Sequence, residues 1–268
     1  MCIILTCAPF RRPDEQTLKT CWDNNPDGAG FMFSRDGKVY GNKGFMTYDK
    51  LKSALKSVPD SSPLVIHFRI ATSGGIATRT CHPYPVTCSM RLLHASKWVS
   101  DCGLAHNGVI DGMFTDDAAG ISDTIFYTKT IVYTVKQTTH VHGETLATNN
   151  RATDMLRDTC GGSRLAILDG SGVIKRIGKW YEVATGICAS NDTFARPRKW
   201  VSADKSSVGP WDEYGLPAKC AGCTSKTWCE AECPFCYDIA RELGYTDDDY
   251  EQLYDDAFVS KGVNYYAY

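Results

Sequence analysis

The chain has 268 residues, of which 43% are hydrophobic and 22% are charged, and its formal net charge is −2. That length predicts one large folded domain with a small second module. The sequence has no run of about 18 apolar residues to span a bilayer, no secretory signal, and too little positive charge for a nucleic-acid-binding protein. We therefore expect a soluble, cytoplasmic protein, with neither a membrane nor a nucleic acid among its partners.

Strand and helix patterns alternate along the first 195 residues and predict a layered α/β or α+β domain. The spacing of Leu51, Leu55 and Val58 indicates an amphipathic helix, and a second helix is indicated from residue 122 onwards. A glycine-rich turn at residues 169–172 predicts a hairpin. Apolar or alternating runs predict strands at residues 2–8, 29–34, 64–70, 102–105, 164–168 and 173–177.

Cys2 acquires two useful chemical groups when Met1 is removed, because the new terminus carries both a thiol and a free α-amine. A thiolate is a strong nucleophile, and an α-amine with a pKa of about 8 can take up the thiol proton near neutral pH. The sequence thus indicates an amino-terminal cysteine nucleophile. The alternative is a buried core cysteine on the first strand, since Cys2 begins the apolar run 2–5.

Six short segments with unusual polar residues follow one another along the first half of the chain. They are Met1-Cys2-Ile3-Ile4, Asn25-Pro26-Asp27-Gly28-Ala29-Gly30, His67-Phe68-Arg69-Ile70-Ala71-Thr72-Ser73-Gly74, Cys81-His82-Pro83-Tyr84, Leu104-Ala105-His106-Asn107-Gly108 and Ser122-Asp123-Thr124. In order and spacing they resemble the class II glutamine amidotransferases, whose glutaminase domain belongs to the N-terminal nucleophile hydrolases. The His-x-Arg, His-Pro and His-Asn-Gly segments are most similar to small stand-alone members of that family.

The resemblance implies both a fold and a set of site residues. The implied fold is α+β, a four-layer αββα sandwich with two central antiparallel sheets, over residues 1–195. Catalysis is implied for Cys2 as nucleophile and for Asn107 and Gly108, whose side-chain and backbone N–H groups would stabilise the oxyanion. Substrate binding is implied for four residues, Arg69 at the α-carboxylate, Asp123 at the α-ammonium group, and Thr72 and His82 beside them.

Several of these residues also have a purely structural interpretation. Arg69 could pair with a carboxylate at a sheet edge, Asp123 could only cap its helix, and Asn107-Gly108 is a common type I′ turn sequence. The buried-strand histidines are expected to be structural hydrogen-bonding groups rather than catalysts, because the α-amine already supplies a base. These histidines are His67, His82 and His106.

The cysteine-rich carboxyl-terminal segment indicates a metal site. Of the 13 cysteines, Cys220, Cys223, Cys233 and Cys236 form two CxxC pairs, a spacing that suits tetrahedral zinc. We expect a structural zinc ion in a module spanning residues 220–268, which ends in an acidic helix and follows a linker at residues 196–219. Cys229 is a spare that could replace one ligand. The alternatives are a redox CxxC motif or reduced, unpaired cysteines.

The main functional hypothesis is hydrolysis of the glutamine side-chain amide through a γ-glutamyl thioester on Cys2. Because no synthetase domain is recognisable in the remaining residues, the ammonia would pass to a separate acceptor enzyme, with the zinc module as its docking surface. One alternative keeps the nucleophile but takes γ-glutamyl peptides or another small amide as substrate. Another is a catalytically degenerate, zinc-stapled interaction module, in which Met1 would be retained.

Overall fold

Two antiparallel β-sheets and the helices against them form the part of the chain that the structure describes. The structure is a computed structural model that describes residues 2–71, 76–139 and 144–195. For these residues the expected α+β class is confirmed. The linker expected at 196–219 and the zinc module expected at 220–268 lie outside the described residues.

In the described residues the larger sheet has seven strands. Strand β1 (Ile3–Cys7) lies near its middle, between β11 (Ile187–Ala189) and β4 (Leu64–Phe68). Within it, Ile3 of β1 pairs with Phe68 of β4. The two strands are antiparallel, so the residue before β1 and the residue after β4 meet at one end of the sheet. In spatial order its strands are Tyr181–Ala184 (β10), Ile187–Ala189 (β11), Ile3–Cys7 (β1), Leu64–Phe68 (β4), Ala29–Arg35 (β2), Lys38–Phe45 (β3) and Lys97–Ser100 (β6).

The smaller sheet, in the same described residues, has four strands. The Asn107-Gly108 segment lies at one end of β7 (Cys102–Asn107), which pairs with β8 (Arg164–Asp169). Asn107 pairs with Arg164, at the start of β8, while Cys102 pairs with Asp169 at the far end. In spatial order its strands are Tyr84–Pro85 (β5), Cys102–Asn107 (β7), Arg164–Asp169 (β8) and Ile174–Ile177 (β9).

The helices that start at Asp123 and Asn150 begin at side-chain caps that the sequence supplies. Ser122 Oγ accepts a hydrogen bond from Ile125 N at 3.2 Å, and Asn149 Oδ1 accepts one from Ala152 N at 2.8 Å. A π-helical turn, Thr128–Val132, joins α4 to α5. The α-helices are Glu15–Asn24 (α1), Tyr48–Leu55 (α2), Met90–His94 (α3), Asp123–Tyr127 (α4), Tyr133–Thr139 (α5) and Asn150–Thr159 (α6), and short 3₁₀ turns occur at Thr78–Thr80 and Thr193–Ala195.

Three of the four apolar clusters in the described residues pack the sheets against each other and against the helices. The first lies between the sheets and contains residues of both, among them Ile4, Val65, Ala105 and Leu168. The second fills the opposite face of the larger sheet with side chains of α1 and α2, and the third fills the opposite face of the smaller sheet with side chains of α4 to α6. All 5 residues of β1 are buried. Because successive residues of a strand point to opposite faces, β1 is covered on both faces of the sheet.

The described ranges contain no helix that is both long enough and apolar enough to cross a membrane.

Candidate active site

Cys2 lies immediately before β1 and is half-buried, so it is not one of the strand's core positions. Its Sγ atom is 3.3 Å from both the backbone nitrogen and the carbonyl oxygen of Ile70. Its own carbonyl oxygen accepts a hydrogen bond from Asn191 Nδ2 at 2.7 Å. The sulfur is thus held at the end of the larger sheet, where β1 starts and β4 has just ended.

The surroundings keep the Cys2 thiol protonated in the resting state. Burial raises the pKa of the thiol above its usual value, and the Ile70 N–H and the positive charge of Arg69 oppose that rise. Asp27 adds a smaller upward contribution to the same pKa. Because the thiol does not ionise spontaneously at neutral pH, nucleophilic attack from Cys2 needs a base close to the sulfur.

Arg69 is buried directly after β4, and two hydrogen bonds tie its backbone to the Asp27-Gly28 loop. Arg69 N donates to Gly28 O at 2.8 Å, and Asp27 N donates to Arg69 O at 3.0 Å. Ala71 N donates to Asp27 Oδ2 at 2.8 Å. Gly28 has a φ of +112°, and a Cβ atom there would lie 2.6 Å from Cys81 Sγ, so only glycine fits the loop.

Asn107 ends β7 with its side chain fully buried. Its Nδ2 atom donates to Ser190 Oγ at 2.8 Å, and the same oxygen accepts a hydrogen bond from Ile4 N at 2.9 Å. Two hydrogen bonds that meet at Ser190 Oγ therefore link Asn107 to Ile4 of β1, the strand that follows Cys2. The type I′ hairpin interpretation of Asn107-Gly108 is wrong, because β7 pairs with β5 and β8, and neither strand follows it directly in the chain.

Asp123 is the first residue of α4 and is buried. Ser122, not Asp123, is the residue that caps the helix, so a simple capping role for Asp123 is wrong. Asp123 Oδ2 accepts a hydrogen bond from Ile110 N at 2.9 Å, and Oδ1 accepts one from Thr124 N at 2.6 Å. The carboxylate thus anchors the loop that follows Gly108.

His67, His82 and His106 form a buried cluster beside these residues. His67 Nε2 lies 3.0 Å from His106 O and 2.8 Å from His82 Nδ1, and His106 Nδ1 lies 2.7 Å from Thr124 Oγ1. The His82 ring also contacts Tyr84 edge-on, with ring centres 4.8 Å apart. The structure therefore places His82, which the resemblance assigns to substrate binding, among internal hydrogen-bonding groups.

The three imidazoles are neutral at physiological pH because their charged forms would be buried. Burial lowers the pKa of His67 to about 3 and the pKa of His106 to about 4. Burial also lowers the pKa of His82 well below its usual value. With such low pKa values these histidines are poor proton acceptors, which agrees with the structural role expected of them.

Lys43 is a buried lysine that sequence reasoning missed. Its Nζ atom donates to Arg79 O at 2.9 Å and to Leu93 O at 2.6 Å, and it lies 3.9 Å from the centre of the Tyr84 ring. Burial lowers the pKa of Lys43 to about 7. The strand pattern does not predict that Lys43 is buried, because a lysine in a strand is normally expected on the solvent face.

Two further residues at the site, Ser190 and Asn191, were also missed, and both are buried directly after β11. Five residues with an expected role cannot be placed, because they lie outside the described residues: Thr72, Cys220, Cys223, Cys233 and Cys236. Among the residues that are described, no group of three or more histidine, cysteine, aspartate or glutamate side chains is arranged to hold a metal ion.

Comparison with known proteins gives no assignment, since no protein-family model and no curated protein matches this chain.

Proposed function

We propose that this chain is a glutaminase of the class II glutamine amidotransferase type, with Cys2 as its nucleophile. One observation carries the proposal. The sulfur of Cys2 lies against Ile70, at the same end of the sheet as Arg69, and hydrogen bonds through Ser190 link this end to Asn107. The residues that the proposed glutamine hydrolysis would use therefore come from the ends of three separate strands, β1, β4 and β7.

For the fold we propose the four-layer αββα sandwich of the N-terminal nucleophile hydrolases. The order of the apolar clusters supports it: helices α1 and α2 pack on one sheet, the two sheets pack on each other, and helices α4 to α6 pack on the second sheet. In such an arrangement the ends of β1, β4 and β7 can supply groups to one site between the sheets.

In the proposed mechanism, removal of Met1 first frees the α-amine of Cys2. That amine takes the thiol proton, directly or through one water molecule, and the thiolate attacks the carbon of the glutamine side-chain amide. The negative charge that develops on the amide oxygen is stabilised by the Asn107 side-chain N–H and the Gly108 backbone N–H. Loss of one such donor typically raises the barrier by about 3 kcal/mol.

The tetrahedral intermediate then breaks its C–N bond. The Cys2 ammonium group returns the proton to the leaving nitrogen, ammonia departs, and a γ-glutamyl thioester remains on Cys2. A water molecule, deprotonated by the same α-amine, attacks the thioester carbon, and cleavage of the C–S bond releases glutamate and regenerates the thiol. Burial raises the pKa of the Cys2 thiol in the chain that still carries Met1, and in the processed chain the α-amine lies on the same residue as the thiol and can take up its proton.

Substrate recognition in this proposal depends on two opposite charges. Arg69 binds the α-carboxylate of glutamine, since a guanidinium group can donate two parallel hydrogen bonds, and Asp123 binds the α-ammonium group. Oδ1 of Asp123 already accepts the backbone N–H and the side-chain hydroxyl of Thr124, whereas Oδ2 accepts one backbone N–H, from Ile110, and retains a second acceptor position. The resemblance also implies Thr72 and His82 as substrate-binding residues, but the contacts of His82 with His67 and Tyr84 support a structural role beside the pocket and no direct contact with the substrate.

The ammonia is proposed to pass to a separate acceptor enzyme. The segment 220–268, with a structural zinc ion bound by Cys220, Cys223, Cys233 and Cys236, is the proposed docking surface for that enzyme. Four thiolates at this spacing would fill a tetrahedral zinc site and leave no open coordination position, so the ion would stabilise the module and take no part in catalysis.

A substrate comparison with the full chain tests the proposal. Mass spectrometry first establishes that Met1 is absent, and the protein is then incubated with glutamine, with γ-glutamyl peptides and with asparagine. Glutamate and ammonia released in equal amounts from glutamine support the proposal. Faster release of an amine from γ-glutamyl peptides would transfer the same chemistry to that substrate class. Retention of Met1, or no turnover of any compound, would contradict an enzymatic function.

A further inference from the structure

We infer that Asn191 and Ser190 are positioning residues that hold the amino-terminal nucleophile and its oxyanion donor in register, an inference that rests on the proposed function. Both follow β11, and neither was expected from the sequence. Asn191 contacts the carbonyl oxygen of Cys2, while Ser190 contacts the side chain of Asn107. Two adjacent residues thus hold two groups that come from different sheets.

The orientation of the Asn191 side chain is fixed by Thr193. Asn191 Oδ1 accepts hydrogen bonds from Thr193 N at 3.1 Å and from Thr193 Oγ1 at 2.6 Å. A backbone N–H can only donate, so the oxygen of the amide must face Thr193 and its NH₂ group must face Cys2 O. Thr193 is itself held in place, because its carbonyl oxygen accepts a hydrogen bond from Asn24 Nδ2 at 2.6 Å.

An amino-terminal nucleophile needs such a contact more than an internal residue does. Once Met1 is removed, Cys2 is attached to the protein through its carbonyl group alone, and chain ends fray unless they are tied down. Pairing of β1 with β4 begins at Ile3, so it does not hold Cys2 itself. The Asn191 hydrogen bond fixes the carbonyl and thereby restricts rotation of the residue that carries both the thiol and the α-amine.

Ser190 provides the second link. Its Oγ atom accepts one hydrogen bond from Ile4 N and one from Asn107 Nδ2, which uses both acceptor positions of a hydroxyl oxygen. Ser190 N also donates to Ile4 O at 2.9 Å, so the residue extends the pairing of β11 with β1. Because the carboxamide of Asn107 is planar, fixing one of its N–H bonds fixes the direction of the other.

Together the two residues set the distance between sulfur and oxyanion donor. Catalytic groups must be held within about 0.5 Å of their working positions, and a misplacement of about 1 Å can lower a rate about 100-fold. Neither Ser190 nor Asn191 needs to touch the substrate for this effect. We therefore expect changes at these positions to lower kcat while KM for glutamine changes little.

The most selective variant is Asn191→Asp. Aspartate keeps an oxygen that can accept the two Thr193 hydrogen bonds, but it cannot donate to Cys2 O. The matched control is Asn149→Asp, because Asn149 also accepts a backbone N–H through Oδ1 and donates through Nδ2, to Glu144, at a helix start outside the site. Both changes replace one amide by a carboxylate, and only Asn191→Asp removes a hydrogen bond from Cys2.

Two measurements are made on the full chain. The first is kcat and KM for glutamine. The second is the rate at which iodoacetamide alkylates Cys2 as a function of pH, followed by mass spectrometry of the amino-terminal peptide, which does not require turnover. For Asn191→Asp we expect kcat to fall about 100-fold and the alkylation midpoint to rise by about one pH unit, because the new carboxylate disfavours the thiolate. Arg69, Asp27 and the terminal amine, whose charges also act on Cys2, are the same in both proteins.

The outcomes separate this inference from the proposed function. Wild-type kcat and an unchanged alkylation midpoint in Asn191→Asp would overturn the inference and leave the glutaminase proposal standing. A wild-type protein that does not turn over glutamine would contradict the proposed function, and the alkylation measurement would still test whether residue 191 lies against Cys2. Ser190→Ala adds a second test, in which we expect a similar loss of kcat without the shift in alkylation midpoint.

Discussion

The Cys2 sulfur lies 3.3 Å from both the backbone nitrogen and the carbonyl oxygen of Ile70, so one residue contacts it as donor and as acceptor. In the thiol state the S–H can donate to the carbonyl oxygen. In the thiolate state only the N–H contact remains favourable. The arrangement therefore favours a thiol that loses its proton briefly during attack, rather than a permanent thiolate, as the pKa of Cys2 also indicates.

Replacing the Cys2 sulfur is expected to abolish activity without unfolding the protein. Cys2→Ser replaces the thiol by a hydroxyl group of similar size. Because Cys2 is half-buried and lies outside β1, we expect the midpoint of thermal unfolding to change little. A hydroxyl is a far weaker nucleophile than a thiol at this pH, so glutamine hydrolysis should fall below detection. The control is Cys88→Ala, which removes an exposed cysteine. Retained hydrolysis in Cys2→Ser would rule out the thioester mechanism.

Arg69→Lys tests recognition of the α-carboxylate. Lysine keeps the charge but cannot form two parallel hydrogen bonds, so we expect kcat/KM for glutamine to fall at least about 10-fold, equivalent to about 1.4 kcal/mol. The reference compound is 4-aminobutanamide, which keeps the ammonium and amide groups of glutamine but has no carboxylate. Its slow turnover should be insensitive to the change.

Arg157→Lys is the control for this experiment, because Arg157 pairs with Asp154 on an exposed face of α6. An equal decrease of kcat/KM for glutamine and for 4-aminobutanamide in Arg69→Lys would show that Arg69 stabilises the fold and does not bind the carboxylate.

Asp123→Asn tests recognition of the α-ammonium group. The neutral amide can no longer attract a cation, so we expect KM for glutamine to rise about 10-fold or more while KM for 4-carbamoylbutanoate, which lacks the amino group, stays nearly constant. Some loss of stability, about 1–2 kcal/mol, is expected because the Asn side chain cannot accept both backbone N–H groups that Asp123 now binds.

The control for that loss is Asp169→Asn. Asp169 is also buried and also accepts backbone N–H groups, from Ser171 and Val173, but it lies at the opposite end of β8 from the Asn107 pair. We expect a similar loss of stability with unchanged KM for glutamine. If both variants raise KM for glutamine alike, Asp123 has no specific role in binding the amino group.

Stability should decline in mild acid because of the three buried histidines. Their folded-state pKa values are lowered, to about 3 for His67, to about 4 for His106 and well below the usual range for His82, whereas in the unfolded chain each titrates at about 6.5. Between these values the unfolded chain binds more protons, so stability is full above pH 6.5 and falls as the pH drops below it. Each histidine can contribute up to about 1.4 kcal/mol per pH unit.

Urea unfolding at pH 7.5, 6.0 and 5.0 measures that decline. His82→Gln removes one of the three titrating groups, so its free energy of unfolding should fall less steeply with decreasing pH than that of the wild type, whatever its stability at pH 7.5. Identical slopes in the two proteins would contradict a buried, neutral His82.

Much of the strand pattern could be predicted from the sequence, because continuous apolar runs require burial. The predicted strand at 64–70 ends early, at Phe68, since the Arg69 backbone leaves the ladder to bond Gly28 and Asp27. Helices Glu15–Asn24 and Asn150–Thr159 were not predicted. Both are rich in polar residues, and packing against the sheets supplies stability that local patterns do not reveal.

The candidate site also contains residues that could be predicted from the sequence and residues that could not. Cys2, Arg69, Asn107 and Asp123 could be selected because each belongs to a short, recognisable segment. Asn191 could not, because its contact with Cys2 joins residues 189 positions apart, and nothing in its neighbours indicates that partner.

The most direct test of the account is to trap the nucleophile with a glutamine-like electrophile. The full chain is incubated with a diazo-ketone analogue of glutamine, digested, and analysed by mass spectrometry to locate the adduct. The account predicts one adduct per chain, on the sulfur of an amino-terminal Cys2 from which Met1 has been removed, and protection by excess glutamine. An adduct on another cysteine, or an unmodified Cys2 that still follows Met1, would contradict it.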